Sequence, residues 1–345
     1  FKWIAVPCLL LSSCNNYLDL KPDAKMVIPN TLEYCELVVN DYSTMNTKYP
    51  SYGEVAADNY YLTSSSWKAI SDIDERNVYI WSDEPFVSSN QWQGPYKAIY
   101  QANQILSVLA ALEDGSSDRW KVCNAGAHFF RAFAMQQLMN VFTSPYNKET
   151  ATNVLGLPIK LSPNLDDRSI RSSLEETCLQ IIKDYRLAVS GLPAHAQNSG
   201  LPNRAAGHAA LARLYLGMQD YETAFRYADS SLALQPMLLD YNTLNPNASL
   251  PFSRSNGEVL FPATSSSSYA LGQSYARIDT TLYNSYATND LRRSLFFRQM
   301  ANGMAFKGSY DGSLPGIFVG LSTAEMYLTR AEAAARLGLL DLSID

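Results

Sequence analysis

The groups in this chain best suited to chemistry are flat aromatic rings set among small polar residues. Trp67 follows three serines, Trp81 lies between Ile80 and Ser82, and Tyr269 follows four serines. Such a ring offers the C–H face of a sugar a surface to stack on, and a tyrosine adds a hydroxyl. Neighbouring Asn, Asp or Arg side chains can then bond the sugar's own hydroxyls. Trp67, Trp81, Tyr269 and Tyr275 are therefore the candidate platforms, with Asn59 and Arg277 as polar partners. The alternative for each ring is a loop anchor packed on a helical core. Trp92, which falls on a helical stripe, reads as core.

Carboxylates are the other chemistry to weigh, because glycoside hydrolysis needs only two of them. The clusters are Asp72-Asp74-Glu75, Asp166-Asp167 and Glu175-Glu176. Glu175 and Glu176 read as first-turn helix caps, and the others as solvated loop charges, so no catalytic residue is assigned. The three histidines, His128, His195 and His208, never share one-turn spacing, and no metal site is expected. Phosphate loops and nucleophile elbows are missing as well, so no cofactor is expected.

A different chemistry is written near the front. The apolar run over residues 3–11 is shorter than the roughly 20 residues a bilayer span requires and has the size of a signal-peptide core. Leu11-Ser12-Ser13-Cys14 closes it in the pattern of a lipobox. On this reading residues 1–13 are a lipoprotein signal peptide, Cys14 carries the lipid, and the chain is anchored to a membrane surface rather than through it. An ordinary secretory signal with an incidental cysteine is the alternative. The chain opens on Phe1 rather than Met, so its natural start is expected upstream.

Elements must position those loop rings, and the composition allows them. Of 345 residues 47% are apolar and 17% charged, which suits a folded globule. Net charge is −6 with no basic run, which argues against a nucleic-acid partner. Cys35, Cys123 and Cys178 sit in apolar helical contexts and read as buried free thiols, with one disulfide as the alternative.

Apolar residues at helical spacing predict helices over 31–45, 91–112, 119–142, 174–192 and 326–337. Ser117 or Asp118, the pairs Ser172/Glu175 and Ser173/Glu176, and Ser322/Glu325 are their start signals. Residues 205–236 match a tetratricopeptide-type helix pair, with Ala209, Ala212, Gly217 and Ala224 as the small residues of close approach. Residues 52–90 read as a long loop. Residues 236–315 lose helical period, with a short strand at 258–261. The apolar face of the last helix (Met326, Leu328, Ala331, Ala334) predicts further chain beyond Asp345.

Taken in order, these residues resemble the SusD/RagB family of Bacteroidetes surface lipoproteins. The resemblance rests on Cys14 followed by Tyr17-Leu18-Asp19-Leu20-Lys21-Pro22, and on Trp92, Tyr96 and Ile99 leading to Ala102-Asn103. It continues through Ala125 to Arg131-Ala132, the 205–236 pair, and Glu325-Met326-Tyr327-Leu328 with Arg330-Ala331-Glu332-Ala333. Two departures stand out. The family's further helix and tail are missing, and Met-Asn-Val-Phe-Thr at 139–143 replaces a Tyr-Gly-rich segment, so that connection is expected to be altered.

The resemblance implies a mostly α fold across 14–345, a single SusD-like domain. Four tetratricopeptide-like pairs would form its scaffold, with long irregular ligand-binding loops and a few short strands. It also implies a non-catalytic outer-membrane lipoprotein at the cell surface, binding glycan, or sometimes peptide, for a SusC-like TonB-dependent transporter. A surface glycoside hydrolase and a protein-binding helical adaptor are the alternatives.

Overall fold

The computed structural model describes residues 30–341 apart from 89, 113, 114, 116, 309, 311, 313–315 and 340. The signal segment 1–13, Cys14 and the 17–22 motif lie outside the described residues.

The first part of the chain holds α1 (Leu32–Val39), α2 (Tyr42–Met45), α3 (Tyr52–Val55), β1 (Tyr60–Tyr61), α4 (Ser64–Ala69) and α5 (Ile73–Tyr79). The helical middle holds α6 (Asn90–Ala111), α7 (Asp118–Phe142), β2 (Leu155–Pro158), β3 (Arg171–Ser173), α8 (Leu174–Gly191), α9 (Arg204–Gly217) and α10 (Tyr221–Leu234). Then come β4 (Val259–Phe261), β5 (Arg277–Ile278), α11 (Thr280–Ser285), α12 (Leu291–Leu295), β6 (Phe297–Met300), β7 (Gly303–Phe306), β8 (Leu321–Ser322) and α13 (Thr323–Arg336). The strands pair antiparallel in twos, β1 with β5, β2 with β3, β4 with β8 and β6 with β7.

The long helices start where side chains satisfy their first amides. Ser117 Oγ accepts the Trp120 amide at 3.2 Å, and Ser173 with Glu176 forms a reciprocal capping box. Ser172 instead donates to the Leu157 carbonyl. Helix α6 packs on α7, α7 on α8, α9 on α10, and α10 on α13, in keeping with the expected helical scaffold.

Ala209, Ala212, Ala224 and Ala228 are fully buried, so the α9–α10 contact is made of small residues. Gly217 is not one of them. A Cβ built there would meet nothing within 4 Å, whereas one at Gly207 would lie 2.7 Å from Val189 Cγ2 on α8. The close approach is therefore between α8 and α9. Phe261 on β4 packs its ring among Phe129, Phe130 and Phe133 of α7, with centroids 4.7, 5.6 and 5.0 Å away.

A buried ion pair ties helices of this interior. Arg131 on α7 donates from Nε and Nη2 to the two oxygens of Asp184 on α8, at 2.8 and 2.6 Å. Its Nη1 reaches Asn103 on α6 at 2.9 Å, and Asn103 in turn donates to the carbonyls of Lys160 and Ser162. His128 and Gln180 complete the shell of Asp184. The Ala102-Asn103 and Arg131-Ala132 motifs are thus the polar tie of three scaffold helices.

Several expectations are corrected here. The predicted helix 31–45 breaks at Asn40-Asp41, because Asp41 caps a second helix by accepting the Ser43 and Thr44 amides. Residues 52–90 are not a structureless loop but a chain of short helices, started by caps at Thr63 and Asp72 that a search for long periods does not register. Asp74 and Glu75 are not solvated charges. Both are buried, and their oxygens accept the backbone amides of Val87 and Ser88, and of Tyr269 and Ala270.

On α13 Met326 and Ala334 are buried, while Leu328 is 72% exposed. Past Arg131-Ala132 helix α7 runs unbroken to Phe142, whose ring stacks on Trp92 at 4.4 Å. The thiols of Cys35, Cys123 and Cys178 are free and buried.

Candidate functional site

A second hydrophobic cluster lies beneath the short elements. Tyr60, Leu62, Ile70, Ala270, Ile278 and Phe297 are among its buried members. It exists because β1 and β5 pair Tyr60 with Ile278 and Tyr61 with Arg277, joining two loop regions far apart in sequence. The candidate residues distribute around it unequally.

Trp67 packs half-buried against this cluster, and its indole N–H donates to the Arg76 carbonyl at 3.0 Å. Tyr275 packs against the same cluster. Both rings therefore have packing work. Asn59 and Arg277 are brought together: the Asn59 carbonyl accepts the amide of Asp279, two residues past Arg277. Arg277 spends Nη1 on the carbonyls of Gln273 and Ala276.

Trp81 and Tyr269 behave differently. They are 78% and 57% exposed. Trp81 follows the last turn of α5 in a left-handed conformation, φ 54°. Its amide bonds the Val78 carbonyl at 3.1 Å, and the Ser82 amide bonds the Asn77 carbonyl at 2.9 Å. That is the hydrogen-bond pattern of a helix end closed by glycine. A side chain there costs about 1–2 kcal/mol, and for a bulky residue the conformation is an outlier. The ring is nevertheless held in place, since its indole N–H donates to the Ala56 carbonyl at 3.0 Å. Tyr269 is presented from the other end of α5, where Glu75 accepts its backbone amide.

Beside Glu75 opens a polar hollow of about 550 Å3, lined by Asp72, Lys48, Gln93, Arg254 and Ser265 to Ser267 among others. Segments 46–49 and 264–266 form its wall by backbone pairing: the Thr264 amide bonds the Asn46 carbonyl, and the Ser266 amide bonds that of Tyr49. Lys48 is left-handed, φ 67°, and its carbonyl presses on α6 so closely that a Cβ at Gly94 would lie 2.1 Å from it. Sequence reading missed Lys48, Gln93 and Arg254. The available signal was Gly94, a glycine inside a helical stripe, which marks close backbone approach.

Chemically, the carboxylates at this hollow are committed. Asp72 caps α5 by accepting the amides of Asp74 and Glu75. Burial raises the Glu75 carboxyl above its usual range, while amides of residues 269 and 270 and the Ser268 hydroxyl oppose that shift. Among the described residues no group of three His, Cys, Asp or Glu could hold a metal ion. What the described residues offer is the exposed rings of Trp81 and Tyr269, and a separate hollow lined by hydroxyl, amide and cationic groups. Such a set binds polyhydroxyl ligands through stacking and hydrogen bonds.

Comparison with known proteins agrees with this architecture. A family model for SusD-like proteins, described as starch-binding and associating with the outer membrane, matches residues 16–216. A candidate sugar-binding protein from Bacteroides vulgatus superposes with a TM-score of 0.77 at 22% identity, over 92% of this chain and 77% of that one. A SusD superfamily protein from Bacteroides thetaiotaomicron gives 0.72 at 19% identity, over 91% and 78%. Surface glycan-binding protein A from Bacteroides fluxus gives 0.66 at 15% identity, over 90% and 77%. No curated protein matches the chain. No described helix is long and apolar enough to cross a membrane. With a family match over more than half its length and the same helical scaffold, the chain belongs to the SusD-like family.

Proposed function

We propose that this protein is a cell-surface lipoprotein that captures nutrient oligosaccharides on its loop face and passes them to a SusC-like TonB-dependent transporter. The lipid on Cys14 anchors it to the outer membrane, and no chemistry is performed on the glycan. The family's description as starch-binding and outer-membrane-associated supports this reading, as does the B. fluxus glycan-binding relative.

The observation that carries it is Trp81. An exposed indole fixed in a strained backbone conformation, at a position where glycine is the easy choice, fits a ring kept for contact with a ligand. Tyr269 and the polar hollow beside Glu75 are the further candidate contacts. Labelled oligosaccharides incubated with the purified protein test it. Retention without cleavage is the expected result. Cleavage would make the protein a hydrolase, and indifference across a glycan array would favour a protein-binding adaptor.

A further inference from the structure

A second hollow is lined by neither Trp81 nor Tyr269. It measures about 750 Å3 and is framed by loop 246–249, α12 and the β6–β7 hairpin. Its charge is unlike that of the chain, which is −6 overall. Arg293, Arg298 and Lys307 line it, and among the described residues Asp290 is its one carboxylate. Asp290 is already spent. Arg292 grips it from Nε at 3.0 and 3.1 Å and from Nη2 at 2.6 Å. Three cations therefore face the hollow without a counter-charge from a described residue.

Each is held differently. Arg293 lies over the Tyr283 ring at 4.4 Å and donates to the Tyr286 carbonyl. Lys307 is 6% exposed and donates to the carbonyls of Pro246 and Ala248, which supply dipoles but no negative charge. Burial, and then repulsion from Arg298, push the Lys307 ammonium below its usual range, so the two charges lie within electrostatic reach. Arg298 is the least satisfied. Its Nε is closed off from solvent and finds no acceptor. A buried donor without a partner is costly, more so when charged. An anion bonded to the Arg298 guanidinium in the hollow would neutralise the crowding of the three cations.

We propose that this hollow is an anion subsite that takes the carboxylate or sulfate group of an acidic saccharide, with Arg298 as its principal contact. The assignment rests on the glycan-capture reading and narrows its ligand class. Tyr283, under the Arg293 guanidinium, lines the hollow together with Asn289 and Gln299, whose amides can bond sugar hydroxyls.

Calorimetry on the full chain at low salt tests it, with galactotriose, trigalacturonate, a sulfated galactotriose and sodium sulfate as probes. At least one acidic trisaccharide should bind tenfold or more tighter than galactotriose, and added salt should erode the difference. Whichever acid gains identifies the group recognised. Arg298→Gln should abolish the preference with an unchanged melting temperature, since no described protein group relies on that guanidinium. Arg298→Lys should retain part of it.

Equal binding of neutral and acidic probes would overturn the subsite and leave glycan capture standing. A preference that survives Arg298→Gln would place the anion site elsewhere and overturn the assignment. Sodium sulfate binding with no saccharide binding would mean an adventitious ion only, and would count against both readings. No binding by any probe would overturn the subsite for these acids, while the glycan array separately decides capture.

Discussion

Glu75 holds Ala270 by its backbone. The carboxylate oxygen Oε2 accepts that amide at 2.9 Å, and Oε1 accepts the neighbouring Tyr269 amide at 3.3 Å. One buried acid thus fixes the loop that presents Tyr269 to the helix that Trp81 follows. Glu75→Ala strands two amides and should cost about 1–3 kcal/mol. Hydrogen exchange at Tyr269 and Ala270 should accelerate beyond what global unfolding explains. Unchanged protection at both amides would break this link.

The Arg131–Asp184 pair should behave as a buried charge pair. Arg131→Met leaves Asp184 uncompensated and should cost about 3–5 kcal/mol in urea denaturation. Replacing both residues by Leu should recover much of that loss.

The same pair sets a response to acid. Burial raises the Asp184 carboxyl, but hydrogen bonds from His128 and Arg131 and the guanidinium charge outweigh it and hold it below its usual range. A carboxyl depressed on folding contributes stability that is fully present above its unfolded value, about 3.9, and is lost as pH falls through the lower folded one. The native protein should therefore lose stability below about pH 4, more steeply than the double Leu variant. Parallel pH profiles would contradict the assignment.

Two glycines on one helix should differ. Gly207→Ala drives a Cβ toward Val189 on α8 and should cost about 1–3 kcal/mol by overpacking, whereas Gly217→Ala meets open space and should be neutral or stabilising. Melting temperatures of the two variants decide it.

Much of this fold is legible in the sequence because long helices announce themselves twice, by period and by caps. Ser117, Ser173 and Ser322 each start the helix their spacing implies. Short helices carry too few residues for a period, so α4 and α5 show only through Thr63 and Asp72. The loop rings were separable from helical core but not from one another. Trp67 and Tyr275 pack on a cluster that exists only once β1 meets β5, a pairing with no local signature. Lys48 and Arg254 reach the polar hollow by long-range packing, and the three cations of the second hollow come from α12, β6 and the residue just after β7.

Trp67→Ala should report packing. Its ring fills part of the second cluster and its indole bonds Arg76, so truncation should cost about 3 kcal/mol. Glycan affinity of the folded fraction should be retained. Stability unchanged with affinity lost would instead make Trp67 a ligand platform.

Trp81→Gly tests capture by the loop face most directly. The variant loses one hydrogen bond worth about 1 kcal/mol and relieves a left-handed penalty of about 1–2 kcal/mol, so stability should not fall. Calorimetry with whichever oligosaccharide the array selects should show affinity at least tenfold weaker, about 1.4 kcal/mol. Full affinity in a stably folded Trp81→Gly protein would contradict the assignment of this surface.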